Sequence, residues 1–127
     1  MTPLLFLAVA AAGGLGAAMR FVIDSAVRAA MTREFPLGIM LINISGSLVL
    51  GTISGLAVTG GVSETWALVI GVGLLGGYTT FSTASLDTVR LAQQGRYVAS
   101  LVNGFGMLVI SVAAAIMGVI AGVALGG

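Results

Sequence analysis

The sequence predicts an all-α membrane protein of four transmembrane helices, the third of them broken, forming a single domain over residues 1–127. Three observations predict it. Of the 127 residues, 58% are hydrophobic and only 7% are charged, with a mean hydropathy of +1.17. A soluble domain needs far more charge to cover its surface. The few charges also divide the chain: residues 1–19, 35–63, 65–86 and 97–127 carry none. Each run is long enough for a spanning helix, which needs about 20 residues. Finally, the third run contains Gly76-Gly77-Tyr78-Thr79-Thr80-Phe81-Ser82-Thr83. Two glycines followed by a cluster of aliphatic hydroxyls are a poor recipe for continuous helix. At bilayer depth, broken backbone is tolerated only where protein or water covers it. A break of this kind is the usual device for holding ions near the midplane.

The four helices are expected at about 4–30, 37–58, 66–89 and 97–124. The first has no basic segment before it and three spans after it, so it reads as a retained helix rather than a signal peptide. Arg33-Glu34-Phe35-Pro36 separates the first two helices, because Pro36 disfavours helix at Phe35. Gly60-Gly61-Val62-Ser63 ends the second helix and offers Ser63 as an N-cap for the third. Gln93-Gln94-Gly95 turns into the fourth. No linker is long enough to separate domains.

Composition excludes several function classes. There is no cysteine and no histidine, which removes thiolate metal sites and the commonest general base. The only carboxylates are Asp24, Glu34, Glu64 and Asp87. No enzyme is expected from such a set, and a net charge of +1 does not point to nucleic acid.

The remaining polar groups suit an anion better than a cation. Within the spans stand Asn43, Ser47, Thr79, Thr80, Ser82, Thr83 and Asn103, all able to donate hydrogen bonds. Asn43, Ser47 and Ser54 share one face of the second helix, and Ser100, Asn103 and Ser111 form a comparable stripe on the fourth. Such stripes are more often glue between helices than a pore lining, but a deep amide needs a partner or water. Phe81 matters in this company, because an aromatic edge is electropositive; its plain alternative is ordinary packing. A broken helix also presents free carbonyls at one cut end, which could hold a monovalent cation such as sodium as a structural ion.

On the first helix, Arg20, Asp24 and Arg28 fall on one face, so Asp24 can pair with either arginine. Arg20 is the deepest charge. It reads either as a snorkelling interfacial residue or as the mouth of an anion path. The spacings Gly51/Gly55, Gly73/Gly77, Gly118/Gly122 and Gly122/Gly126 imply close helix packing, including an oligomer interface. Four short helices are a thin wall for an ion path, which favours assembly of at least two chains.

Three motifs in order carry a family resemblance. Gly13-Gly14-Leu15-Gly16-Ala17-Ala18-Met19-Arg20-Phe21, then the run from Pro36 through Asn43 to Gly46, then Gly76–Thr83 followed by Asp87, resemble the CrcB/Fluc family of fluoride channels. The likeness runs from about Gly13 to Ala99; the fourth helix matches in general character. The resemblance implies an antiparallel dimer with two narrow pores in the cell (inner or plasma) membrane, exporting fluoride passively. It implies that Asn43 donates to fluoride, that Phe81 is the first of two pore phenylalanines, that Ser82 and Thr83 add hydroxyl donors, and that Arg20 serves the vestibule. Backbone carbonyls at Gly76, Gly77, Thr79 and Thr80 would hold a central sodium ion. Two positions depart from the pattern: Ala84 stands where a second phenylalanine is usual, and Asn103 lies near the place of a frequent fourth-helix tyrosine.

Two other readings compete. A small multidrug-type proton-coupled exporter needs an intramembrane carboxylate, and residues 1–19 contain none. A non-conducting or half-active subunit of a heterodimer is favoured by Ala84. It is also favoured by Arg28, Arg33, Arg90 and Arg96, which gather at one side of the membrane and bias a single orientation. An antiparallel homodimer is the expected assembly, and a heterodimer with an oppositely oriented paralogue is the alternative.

Overall fold

Chain geometry at the helix ends follows directly from local sequence. In the computed structural model, residues 1–31 and 35–127 are described. All regular structure among them is helical, and four helices are long and apolar enough to cross a membrane. The first, Pro3–Ala30, starts with Thr2, whose side chain accepts from the Leu5 amide, and with a proline in the first turn. Arg33 and Glu34, placed in the following loop by the sequence reading, lie outside the described residues. The second helix, Leu37–Val58, begins after Pro36. The chain turns away from it at Gly60, whose φ of 78° is open to glycine at little cost. There the Gly61 amide returns to the Leu56 carbonyl at 2.8 Å.

Ser63 caps the third span, accepting from the Trp66 amide at 3.4 Å. The span covers Glu64–Gln93. It is α-helical at Glu64–Ala67, opens into wide π turns over Leu68–Leu75, and tightens again at Gly76–Tyr78. Thr79 is extended, with φ −79° and ψ 158°, and helix resumes at Ser82–Gln93. Gly95, at φ 75°, makes the turn into the fourth span, Tyr97–Gly126. This span carries its own π turn at Val102–Gly106.

Glycine decides the packing. The second helix lies along Met107–Gly126 through Gly51, Gly55, Gly118 and Gly122; a Cβ at Gly51 would collide with the Ala115 carbonyl, and one at Gly118 with the Leu48 carbonyl. The first helix meets the third span in the same way. A Cβ at Gly16 would strike the Leu74 carbonyl and one at Gly77 the Gly13 carbonyl. Gly126 likewise faces Thr59. The small-residue spacings expected to include an oligomer interface are thus used for contacts within the chain.

The apolar side chains point mostly outward. The buried hydrophobic set is short (Ile39, Met40, Ile42, Leu75, Leu91 and Met107), while Phe6, Phe21, Trp66, Phe81 and many leucines and valines are exposed. Lipid is as apolar as these side chains, so little drives them inside; the enclosed set also holds the polar Asp87, Ser100 and Asn103.

Candidate functional site

Asn43 is the centre of the polar interior. It sits two turns into the second helix, opposite the interruption in the third span. Its Oδ1 accepts from the Thr80 amide at 2.8 Å, and its Nδ2 donates to the Thr80 carbonyl at 2.8 Å. In a continuous helix the Thr80 amide would go to the Gly76 carbonyl. One side chain therefore satisfies both backbone groups of Thr80. Nδ2 also donates to the Met107 sulfur at 3.1 Å. Thr80 supports the next turn, its Oγ1 accepting from the Thr83 amide and lying 3.3 Å from Ser82 Oγ.

The cut ends carry opposite partial charges. Helix 64–78 ends with carbonyls and Ser82–Gln93 begins with amides. Beside this junction lies an open groove of about 540 Å³, lined by Asn43, Ser47, Thr79, Thr80, Phe81 and Ala84, then by Thr88, Asn103, Met107 and Ser111. Among the described residues, no ionisable side chain lines it. Phe81 is 88% exposed along one edge, and Ala84 stands a turn further on.

A second polar cluster ties the third span to the fourth. Asn103, on the π turn, is fully buried. Its Nδ2 donates to Thr88 Oγ1 at 2.8 Å and lies 3.3 Å from the Ala84 carbonyl. Thr88 Oγ1 donates to that same carbonyl, and Ser100 Oγ donates to the Thr88 carbonyl, both at 2.8 Å. Asn103 Oδ1 and Ser111 Oγ are buried without a hydrogen-bond partner.

Of the residues singled out from sequence, Asn43, Thr79, Thr80, Phe81 and Asn103 gather at the groove. Ser82 and Thr83 adjoin the junction without lining the groove, and Gly76 and Gly77 lie just before it. Arg20 stays on the first helix, away from it. Asp24 pairs with Arg28, at 2.9 Å, rather than with Arg20; Arg28 also approaches the buried Asp87 at 3.8 Å, as does Arg90 at 3.9 Å. Arg28, Asp87 and Arg90 border a separate cavity at the arginine-rich end. Sequence reasoning missed Thr88 and Met107. Thr88 carries no distinguishing spacing, whereas Met107 stands four residues from both Asn103 and Ser111, a position readable only as an apolar gap in a polar stripe.

Comparison with known proteins accords with this architecture. The profile of the family described as CrcB-like protein, Camphor Resistance (CrcB), matches residues 7–122. The protein named fluoride-specific ion channel FluC 1 of Leifsonia xyli subsp. xyli is 51% identical over 118 residues, covering 93% of this chain and 86% of its own. FluC 2 of Nitrobacter hamburgensis is 42% identical over 121 residues, 94% of each chain. FluC 2 of Mycolicibacterium paratuberculosis is 41% identical over 117 residues, 92% of this chain and 93% of its own. With a family match over most of its length and relatives at this identity, the chain belongs to the CrcB-like protein family.

Proposed function

We propose that this protein is a passive, fluoride-selective channel of the cell membrane, working as an antiparallel dimer with two pores, each exporting fluoride down its gradient. The observation that carries the reading is the groove at the interrupted third span, where two amides and several hydroxyls stand among apolar side chains and, among the described residues, no carboxylate lines it. The relatives named fluoride-specific ion channels supply the ion. Fluoride holds its hydration shell strongly, so a path for it must offer strong donors in place of water; Asn43, Thr80 and the amide end of Ser82–Gln93 are such donors. Phe81 would present its positive ring edge. The groove is open on one face of the chain, and a second copy laid over it would close the path and cover Phe81. That no carboxylate lines the groove among the described residues also weighs against a proton-coupled exporter.

The junction fits a structural sodium ion. Asn43 draws the Thr80 amide away from the Gly76 carbonyl, and the carbonyl end of helix 64–78 is favourable for a cation. Gly76, Gly77, Thr79 and Thr80 would supply backbone oxygens; Thr80 has one lone pair already engaged by Asn43. When bound, the ion would fix the junction of both subunits without itself moving.

A second reading has its own support. Ala84 leaves the groove with one aromatic edge, and among the described residues Arg28, Arg90 and Arg96 all fall towards the same end of the spans. A heterodimer with an oppositely oriented paralogue would accommodate both features. Fluoride-electrode recordings from liposomes holding this chain alone decide between them. Release at a rate proportional to protein supports the homodimer, and no release without a second chain supports the heterodimer. Release of chloride as fast as fluoride would defeat the channel reading itself.

A further inference from the structure

Both hydrogens of the Asn43 amide are engaged. One serves the Thr80 carbonyl at 2.8 Å and the other the Met107 sulfur at 3.1 Å. If Asn43 is to donate to a passing anion, one acceptor must give way. The two are unequal. The carbonyl is a strong acceptor, and the bond to it helps hold the interruption in place. A thioether is a weak acceptor on a side chain with three rotatable bonds, so it can swing aside without moving backbone.

Met107 is well placed for this. It is 5% exposed, lines the groove, and stands four residues from Asn103 and four from Ser111 on the fourth span. It therefore stands on one face between two polar residues. We propose that Met107 is a specificity-determining residue of the anion path: its sulfur occupies the second Asn43 hydrogen until an anion displaces it. This rests on the fluoride reading above. The exchange trades a weak N–H···S contact for a charge-assisted hydrogen bond, about twice as strong as a neutral one. A larger halide, with its charge spread over a greater radius, accepts a weaker hydrogen bond and gains less from the exchange. Asn43 thereby performs two tasks at once, its oxygen and one hydrogen holding Thr80 and its other hydrogen serving the ion.

The plain alternative is that Met107 only fills space, since it belongs to the buried cluster with Ile39, Met40 and Ile42. Two substitutions of similar size separate the ideas. Met107→Leu keeps the volume and removes the acceptor. Met107→Gln keeps the length and brings an amide oxygen, a stronger competitor for the same hydrogen. The readout is the fluoride concentration at half-maximal flux, for variants that elute as the wild type on size exclusion. Met107→Leu should lower it by roughly two- to tenfold, the span of one net hydrogen bond, and Met107→Gln should raise it. Shifts in the same direction, or none, overturn the proposal, because a packing role has no reason to give opposite signs. A measurement independent of flux accompanies them. In fluoride-free detergent solution, Met107→Leu should move one of the two Asn43 side-chain amide protons in the NMR spectrum, and unmoved resonances also overturn the proposal. A wild type that passes no fluoride when reconstituted alone overturns this proposal together with the homodimeric form of the functional reading, whereas a conducting wild type with unresponsive variants overturns this one alone.

Discussion

Replacing Asn43 with alanine should both slow fluoride and loosen the junction, and the two effects share one cause. The side chain makes two 2.8 Å bonds to Thr80, one to each backbone group. A net hydrogen bond contributes about 0.5–1.5 kcal/mol, and a buried group left unsatisfied costs about 1–3 kcal/mol. Thr80 is half-buried, so part of that loss is recovered through water, leaving roughly 2–4 kcal/mol against the present geometry. Thr80 could recover a helical partner at Gly76 only if Thr79 left its extended conformation, ψ 158°. Either outcome displaces Phe81. At a tenfold change per 1.36 kcal/mol, the Thr80 amide should exchange with deuterium on the order of 30- to 1,000-fold faster in Asn43→Ala, and flux in liposomes should fall at least about tenfold. Hydrogen exchange in lipid nanodiscs, read by mass spectrometry on peptides spanning 76–83, measures the first effect. Wild-type exchange together with wild-type flux, at equal incorporation, would refute the reasoning: Asn43 would then neither hold the junction nor serve the ion.

Other predictions follow from particular contacts. Phe81→Ala should cut fluoride flux while sparing the intrachain fold, because the ring is 88% exposed within the chain; unfolding of a dissociated subunit displaced by more than about 0.5 kcal/mol would contradict this. Gly77→Ala places a methyl group against the Gly13 carbonyl, so it should destabilise the chain by about 1–3 kcal/mol, readable as a lower unfolding temperature in detergent. Thr88→Val removes the acceptor for Asn103 Nδ2 and the donor to the Ala84 carbonyl. A loss of about 1–3 kcal/mol is expected, and an unchanged unfolding temperature would show that the cluster adds nothing. Ala84→Phe adds a second ring beside the groove; under the heterodimer reading it should raise flux from the chain reconstituted alone, and equal flux would remove the support that Ala84 gives that reading.

Much of this architecture is legible in the sequence because charge is so scarce. Helices expected at 4–30 and 37–58 match Pro3–Ala30 and Leu37–Val58 almost residue for residue, since Thr2, Pro3, Pro36 and Gly60 mark their ends. The third was expected at 66–89 and covers Glu64–Gln93. Ser63 as its N-cap already implies a start at Glu64, and the amphipathic tail beyond Val89 stays helical to Gln93 with Leu91 buried. The groove was legible only by its polar members. Asn43 and Thr80 are 37 positions apart, and no periodicity within one helix connects them. Met107 escaped because its sulfur acts through a single contact, while in a pattern of residue types it counts as one more apolar side chain. The π turns had no sequence signal, yet one of them carries the buried Asn103. The glycine spacings were read correctly as close packing, but pattern alone could not say whether the partner helix belonged to the same chain.

The central claim is that a groove of neutral donors passes fluoride and rejects larger anions, and current across a planar bilayer tests it most directly. With purified protein between fluoride on one side and chloride on the other, the current should be carried by fluoride alone. The reversal potential should then move strongly to the side that opposes fluoride flow, and replacing chloride by an impermeant organic anion should leave it unchanged. A reversal near zero, showing that both ions pass, would contradict the account.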